Sequence, residues 1–228
     1  MATTLKRWTQ LGLGAALASG TLAACGSPEQ LTEQPDAEIA ATAETAAPTE
    51  TPEPAATQAG EGEGGVVFAQ ATSDPVIFLS ILAITEAHII AARDAHALGE
   101  NEAAAEMFAH PVSEVLFESQ SVFQQLGVQD FSDLLTDTSA AIFAGETPEQ
   151  INARADEIIT ALRTAAEKAP ASDASDASIA AGVAVDQIER AADMYRIALE
   201  SDAYEPYLDG YGFFKAGEAV YLESADAI

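Results

Sequence analysis

The chain has 228 residues, with 37 acidic against 9 basic side chains and a formal net charge of −28. That length allows one ordinary domain with accessory segments, and that charge argues against nucleic acid or anionic lipid headgroups as partners, since both need a cationic surface. A single cysteine, Cys25, leaves no intrachain disulfide framework to build on.

Read from the start, Lys6 and Arg7 form a short basic region, and Leu11 to Ala24 an apolar stretch too short for a lasting membrane span. It closes with Leu22-Ala23-Ala24-Cys25, which resembles the lipobox of bacterial lipoprotein signal peptides. The resemblance implies cleavage before Cys25, diacylation of its thiol and acylation of the new amino terminus. Residues 1–25 are then a lipoprotein signal peptide, and the remaining chain is held at the cell envelope on the extracytoplasmic side, periplasmic or cell-surface. The alternative is a chance cysteine after an ordinary secretory signal. Two or more acyl chains suffice for stable anchoring, each buried methylene contributing about 0.8 kcal/mol. All Asp and Glu residues follow Cys25, so the mature chain is more acidic still. Such a surface serves solubility, or attracts cations and basic partners.

Residues 26–65 are rich in Glu, Pro, Thr and Ala, without Lys, Arg or an aromatic ring. A segment of this kind cannot bury enough apolar area to offset its ordering entropy, and it is expected to be a disordered tether. Residues 66–228 are expected to be the folded domain. Asp74 and Pro75 mark the start of a helix that is apolar nearly all round and ends at Gly99. Glu86 and His88 inside it make a membrane span costly, so a central core helix is the better reading. Asn101 starts a second helix that Pro111 must interrupt or kink, with Val112 to Leu126 continuing to Gly127. Asp130 opens a helix through Phe143. Thr147-Pro148-Glu149-Gln150 reads as a capping box for a helix to about Lys168. After a loop from Ala169 to Ala177, Ser178 opens a helix to about Glu200. Pro206, Gly210 and Gly212 predict an irregular stretch before a last helix from Tyr211 to Ser224. The fold class is all-α, a bundle of five to seven helices. One hairpin around Gly99 is reminiscent of a tetratricopeptide unit, but it is not repeated at the roughly 34-residue period that architecture needs.

All three histidines lie between Asp74 and Glu118. His88 is eleven residues before Gly99 and His110 eleven after it, so an antiparallel pair of helices puts both imidazoles at one height. Glu114, one turn on from His110, joins them on one face. His88, His110 and Glu114 are thus a candidate metal set inside a bundle, with Glu118 and Tyr211 as possible additional ligands. Imidazole with carboxylate suits Fe, Zn, Cu or Ni better than Mg or Ca. The competing reading makes His88 a core side chain bonded to a carboxylate or carbonyl, and His110 with Glu114 a cap or surface ion pair. Glu86 is expected in a salt bridge, near Arg93 or on a neighbouring helix. Tyr204, Tyr207, Tyr211 and Phe214, beside Glu205 and Asp209, either lock the last helix in place or add a tyrosinate or carboxylate to an iron site. No nucleophile–base arrangement or phosphate loop is present with supporting context, so no catalytic residue is assigned and an enzyme is not expected.

His110, Pro111 and Glu114 in a lipid-anchored acidic helical chain resemble the imelysin-like extracytoplasmic proteins of bacterial iron uptake. Those bundles carry His-x-x-Glu; here the spacing is one residue longer. The resemblance implies iron capture or delivery at the cell envelope, with an envelope protein as a possible partner. The alternative from a different class is an interaction or scaffolding lipoprotein without a metal.

Overall fold

A computed structural model of the chain describes residues 66–201 and 203–224. The leader with Cys25 and the tether of residues 26–65 lie outside these described residues. Between Phe68 and Ser224 every regular element is helical, and no strand occurs among the described residues. A 3-10 turn at Phe68–Gln70 leads into α1 (Pro75–Ala97). There follow α2 (Asn101–Pro111), a π-helical turn (Val112–Leu116) and α3 (Phe117–Leu126). The chain closes with α4 (Ser132–Phe143), α5 (Pro148–Ala166), α6 (Asp176–Ser201) and α7 (Glu205–Ser224). The expected all-α bundle is what forms.

The local start signals act as the residue types suggest. The Asp74 carboxylate accepts from the backbone N–H groups of Val76 and Ile77, satisfying donors that the first turn of α1 cannot pair. At α5 the capping box is complete: Gln150 N–H donates to Thr147 Oγ1, and Thr147 N–H to Gln150 Oε1. Gly99, Gly127 and Gly145 follow helix ends with φ of 85°, 73° and 82°. In that left-handed region a Cβ is costly. Asp130 does not itself begin α4. Its carboxylate accepts from the N–H and hydroxyl of Ser132, two residues on, and these bonds hold its pKa below the usual carboxylate value.

α1 is the centre. It is long and apolar enough to cross a membrane by length and composition, yet it touches α2, α5, α6 and α7. Phe78, Ile81, Ile84 and Ile89 are fully buried by those neighbours, which explains an apolar surface on every side of the helix. Glu86 is the charged exception. It does not pair with Arg93; both its oxygens take the Arg163 guanidinium of α5, at 2.5 and 2.8 Å. Arg163 also reaches Glu223 of α7 at 3.0 Å. A polar clip therefore joins three helices where α1 would otherwise bury a lone charge.

The last helix differs from its expectation. α7 begins at Glu205, not Tyr211, and runs through both Gly210 and Gly212. Helix propensity argues against two glycines so close together, and packing overrides it. A Cβ on Gly212 would stand 2.3 Å from the Ala87 carbonyl oxygen of α1, and one on Gly210 3.0 Å from the Tyr195 ring of α6. The glycines let α7 seat directly on its two neighbours. Likewise α6 starts at Asp176, two residues before Ser178, with the Ser178 N–H held by the Ser175 hydroxyl.

Candidate metal centre

α2 ends at Pro111, but the chain passes without a break into the π-turn, where the Phe117 N–H reaches back to the Val112 carbonyl. A π-turn takes more residues per revolution than an α-turn, and such bulges recur at functional sites. His110 is therefore in the last turn of α2 rather than the cap of a new helix, and Glu114 lies in the π-turn.

These two meet His88 of α1. One ligand atom from each of His88, His110 and Glu114 lies within 4.8 Å of the others. The His88 and His110 ring centroids are 6.2 Å apart and inclined at 71°. Two ligands each about 2.1 Å from one ion can be at most about 4.2 Å apart. Three ligands spread evenly around one ion at that distance are about 3.4–3.6 Å apart, so inward side-chain shifts of up to about 0.7–0.8 Å each bring the three onto a common centre.

The two histidines are oriented in the way ligands need. His88 is 1% exposed. Its Nδ1 lies 2.8 Å from the Ile84 carbonyl. A carbonyl only accepts, so Nδ1 carries a proton, and Nε2 is the nitrogen directed at the interior. Phe213 packs edge-on at 5.8 Å between ring centroids and holds the imidazole plane. His110 has its Nε2 3.7 Å from a Glu205 carboxylate oxygen. Its Nδ1 is buried and makes no hydrogen bond within the described residues. A ligating histidine typically donates its outer N–H to a carboxylate or carbonyl, which fixes tautomer and ring. Here a carbonyl serves His88 and a carboxylate stands beside His110. The core-histidine reading of His88 and the ligand reading are thus compatible, because they concern opposite nitrogens.

The remaining candidates separate. Glu118 is exposed and outside the triad. Eight residues beyond His110, it lies about 12 Å farther along the axis by helical rise. Tyr211 is also outside the triad. Its hydroxyl donates to Asp94 at 2.6 Å, and that bond with partial burial pushes its pKa up to about 12. His96, the third histidine, is structural: Nδ1 lies 2.9 Å from Asn101 Oδ1 and Nε2 3.3 Å from the Glu146 carbonyl. It ties the end of α1 to the start of α2 and to the loop before α5. Tyr204 and Tyr207 stack at 5.9 Å, and Tyr195 of α6 lies 6.0 Å from Tyr207. Those rings join α6 to α7 near their connection.

Asp209 is the residue that sequence reasoning left among the aromatic series. It is 2% exposed, and its Oδ1 lies 3.7 Å from His88 Nε2. Its spacing from Glu205 was the available signal: four positions apart, the two carboxylates share one face of α7.

No protein-family model, curated protein or solved structure matches this chain.

Proposed function

We propose that this chain is a lipid-anchored, extracytoplasmic binding protein whose helical bundle takes up a transition-metal ion, Fe or Zn, at His88, His110 and Glu114. Its role is capture or delivery of that ion at the cell envelope. The observation that carries this reading is the convergence of two imidazoles and a carboxylate from α1, α2 and the π-turn to within 4.8 Å. Mixed nitrogen and oxygen donors favour Fe or Zn over Mg or Ca. The envelope address rests on the Leu22–Cys25 segment and the acidic residues 26–65 that follow it.

The test is thermal unfolding of the full chain with and without Fe(II), Zn(II) and Cu(II), beside His88→Ala and His110→Ala. An ion at about a hundred times its dissociation constant stabilises the fold by about 2.7 kcal/mol. That corresponds to about 5–11 °C for a domain of this size. A rise in the wild type that both variants lose supports the site. No rise with any metal, or one that survives both substitutions, ends the metal reading. A second reading, an interaction module, draws on the apolar groove between α6 and α7 lined by Val185, Ile188, Phe214 and Tyr221. It becomes the working function if the metals leave the melting temperature unchanged.

A further inference from the structure

α7 presents two carboxylates, four residues apart, to the two histidines. Glu205 Oε1 lies 3.7 Å from His110 Nε2, and Asp209 Oδ1 lies 3.7 Å from His88 Nε2. They differ in depth. The Glu205 side chain is 57% exposed and stands at the outer nitrogen of its histidine, whereas the Asp209 side chain is 1% exposed and faces the inner one. Aspartate is a short side chain, and it reaches His88 because the helices run unusually close: Gly212, three residues on, leaves α7 room to rest on the Ala87 carbonyl. Two ligands about 2.1 Å from one ion are about 3.4 Å apart at a tetrahedral angle and about 4.2 Å when opposed. The separation of His88 Nε2 from Asp209 Oδ1 falls between these limits, although Asp209 is not among the residues whose ligand atoms all lie within 4.8 Å of one another, so its carboxylate must swing farther than the triad to reach a common ion.

From this geometry we infer that Asp209 is the fourth ligand of the ion held by His88, His110 and Glu114, closing the site from α7. The inference rests on the metal reading of that triad. Charge supports it. Two neutral imidazoles and one carboxylate leave a divalent ion with a net positive charge in a partly buried site, where an uncompensated charge is costly. A second carboxylate makes the buried set neutral. The ion class is therefore divalent, Zn(II) or Fe(II), rather than trivalent. Binding also clasps α7 to α1 and α2.

Cobalt(II), which substitutes for zinc and absorbs visibly according to its ligand set, is the probe. The full chain, Asp209→Asn and His110→Ala are each titrated with Co(II) and then with competing Zn(II). The site is defined as the absorbance that His110→Ala abolishes, which separates it from binding by the Cys25 thiol. Asp209→Asn is expected to weaken Zn(II) binding by more than about tenfold and to alter the Co(II) band. Unchanged affinity with an unchanged band overturns the assignment while leaving the triad standing. Wild type without any band that depends on His110 overturns both. Should Asp209→Asn fail to fold, a crystal structure of the zinc-loaded wild type decides: an Asp209 carboxylate oxygen within about 2.2 Å of the ion supports the assignment, and an ion bound without it refutes it.

Discussion

His88 and His110 stand eleven residues on either side of Gly99, and their rings meet edge to face at a centroid distance of 6.2 Å. Equal numbers of residues, at equal rise, return the chain to the same height, so the turn at Gly99 sets the register of the site. Gly99 has φ of 85° and open space around its missing Cβ. Gly99→Ala is therefore expected to cost about 1–2 kcal/mol through backbone strain alone. Urea unfolding measures that loss, and a variant as stable as the wild type would show that the turn does not require a left-handed residue.

Gly210 and Gly212 separate two kinds of close contact. At Gly212 an added Cβ meets the Ala87 carbonyl oxygen and carbon at 2.3 and 2.8 Å, and backbone cannot step aside. At Gly210 the neighbour is the Tyr195 ring at 3.0 Å, a side chain that can give. Gly212→Ala is expected to destabilise by about 3 kcal/mol, the upper range for overpacking, and Gly210→Ala by about 1 kcal/mol or less. Because Ala87 adjoins His88, Gly212→Ala should also weaken the metal binding proposed for that histidine. Equal effects on stability from the two substitutions would contradict this packing.

The Glu86–Arg163 pair is buried at one end only, with side-chain exposures of 8% for Glu86 and 44% for Arg163. The hydrogen bonds from Arg163 to Glu86 raise the arginine pKa. Arg163→Met leaves Glu86 facing an apolar interior. Solvent at the arginine end tempers the cost, and about 2 kcal/mol is expected rather than the larger loss of a fully enclosed pair. Adding Glu86→Leu should recover much of it. A double-mutant cycle in guanidinium chloride checks both numbers, and additive losses would mean the two residues are not coupled.

Tyr211 offers a spectroscopic test of the α1–α7 contact. Its bond to Asp94 stabilises the protonated phenol and, with burial, pushes the pKa up to about 12 from 10.0. For a group whose folded pKa is raised, the stabilisation is complete below the unfolded value and is lost as pH rises through the folded one. The contribution should therefore be intact at pH 9 and decline between about pH 10 and 12. Burial also raises the pKa of Tyr195 and Tyr204, so absorbance titration of phenolate should find Tyr211 the last to ionise, a step which Tyr211→Phe removes and Asp94→Asn shifts toward 10. An unchanged titration in both variants would refute the pairing.

Much of this architecture was legible from residue types because it is local. Asp74 with Pro75, the Thr147–Gln150 box and the glycines at 99 and 127 act on backbone groups within a few positions, and the reach of a cap does not depend on the rest of the fold. The common height of His88 and His110 was legible for the same reason, since helical rise is constant and the turn between them is short. What followed from approach between distant helices was not. Gly210 and Gly212 look like helix breakers until α6 and α1 are set against them. Glu86 had Arg93 nearby in sequence and found Arg163 instead, 77 positions away. Tyr211 was free to be a ligand on paper, and a carboxylate 117 positions away claims its hydroxyl. Asp209 comes within reach of His88 only because α7 lies close on α1. Local sequence chose the helices and the level of the histidines; interhelical distance, set by side-chain volume at a few glycines, chose which carboxylates surround them.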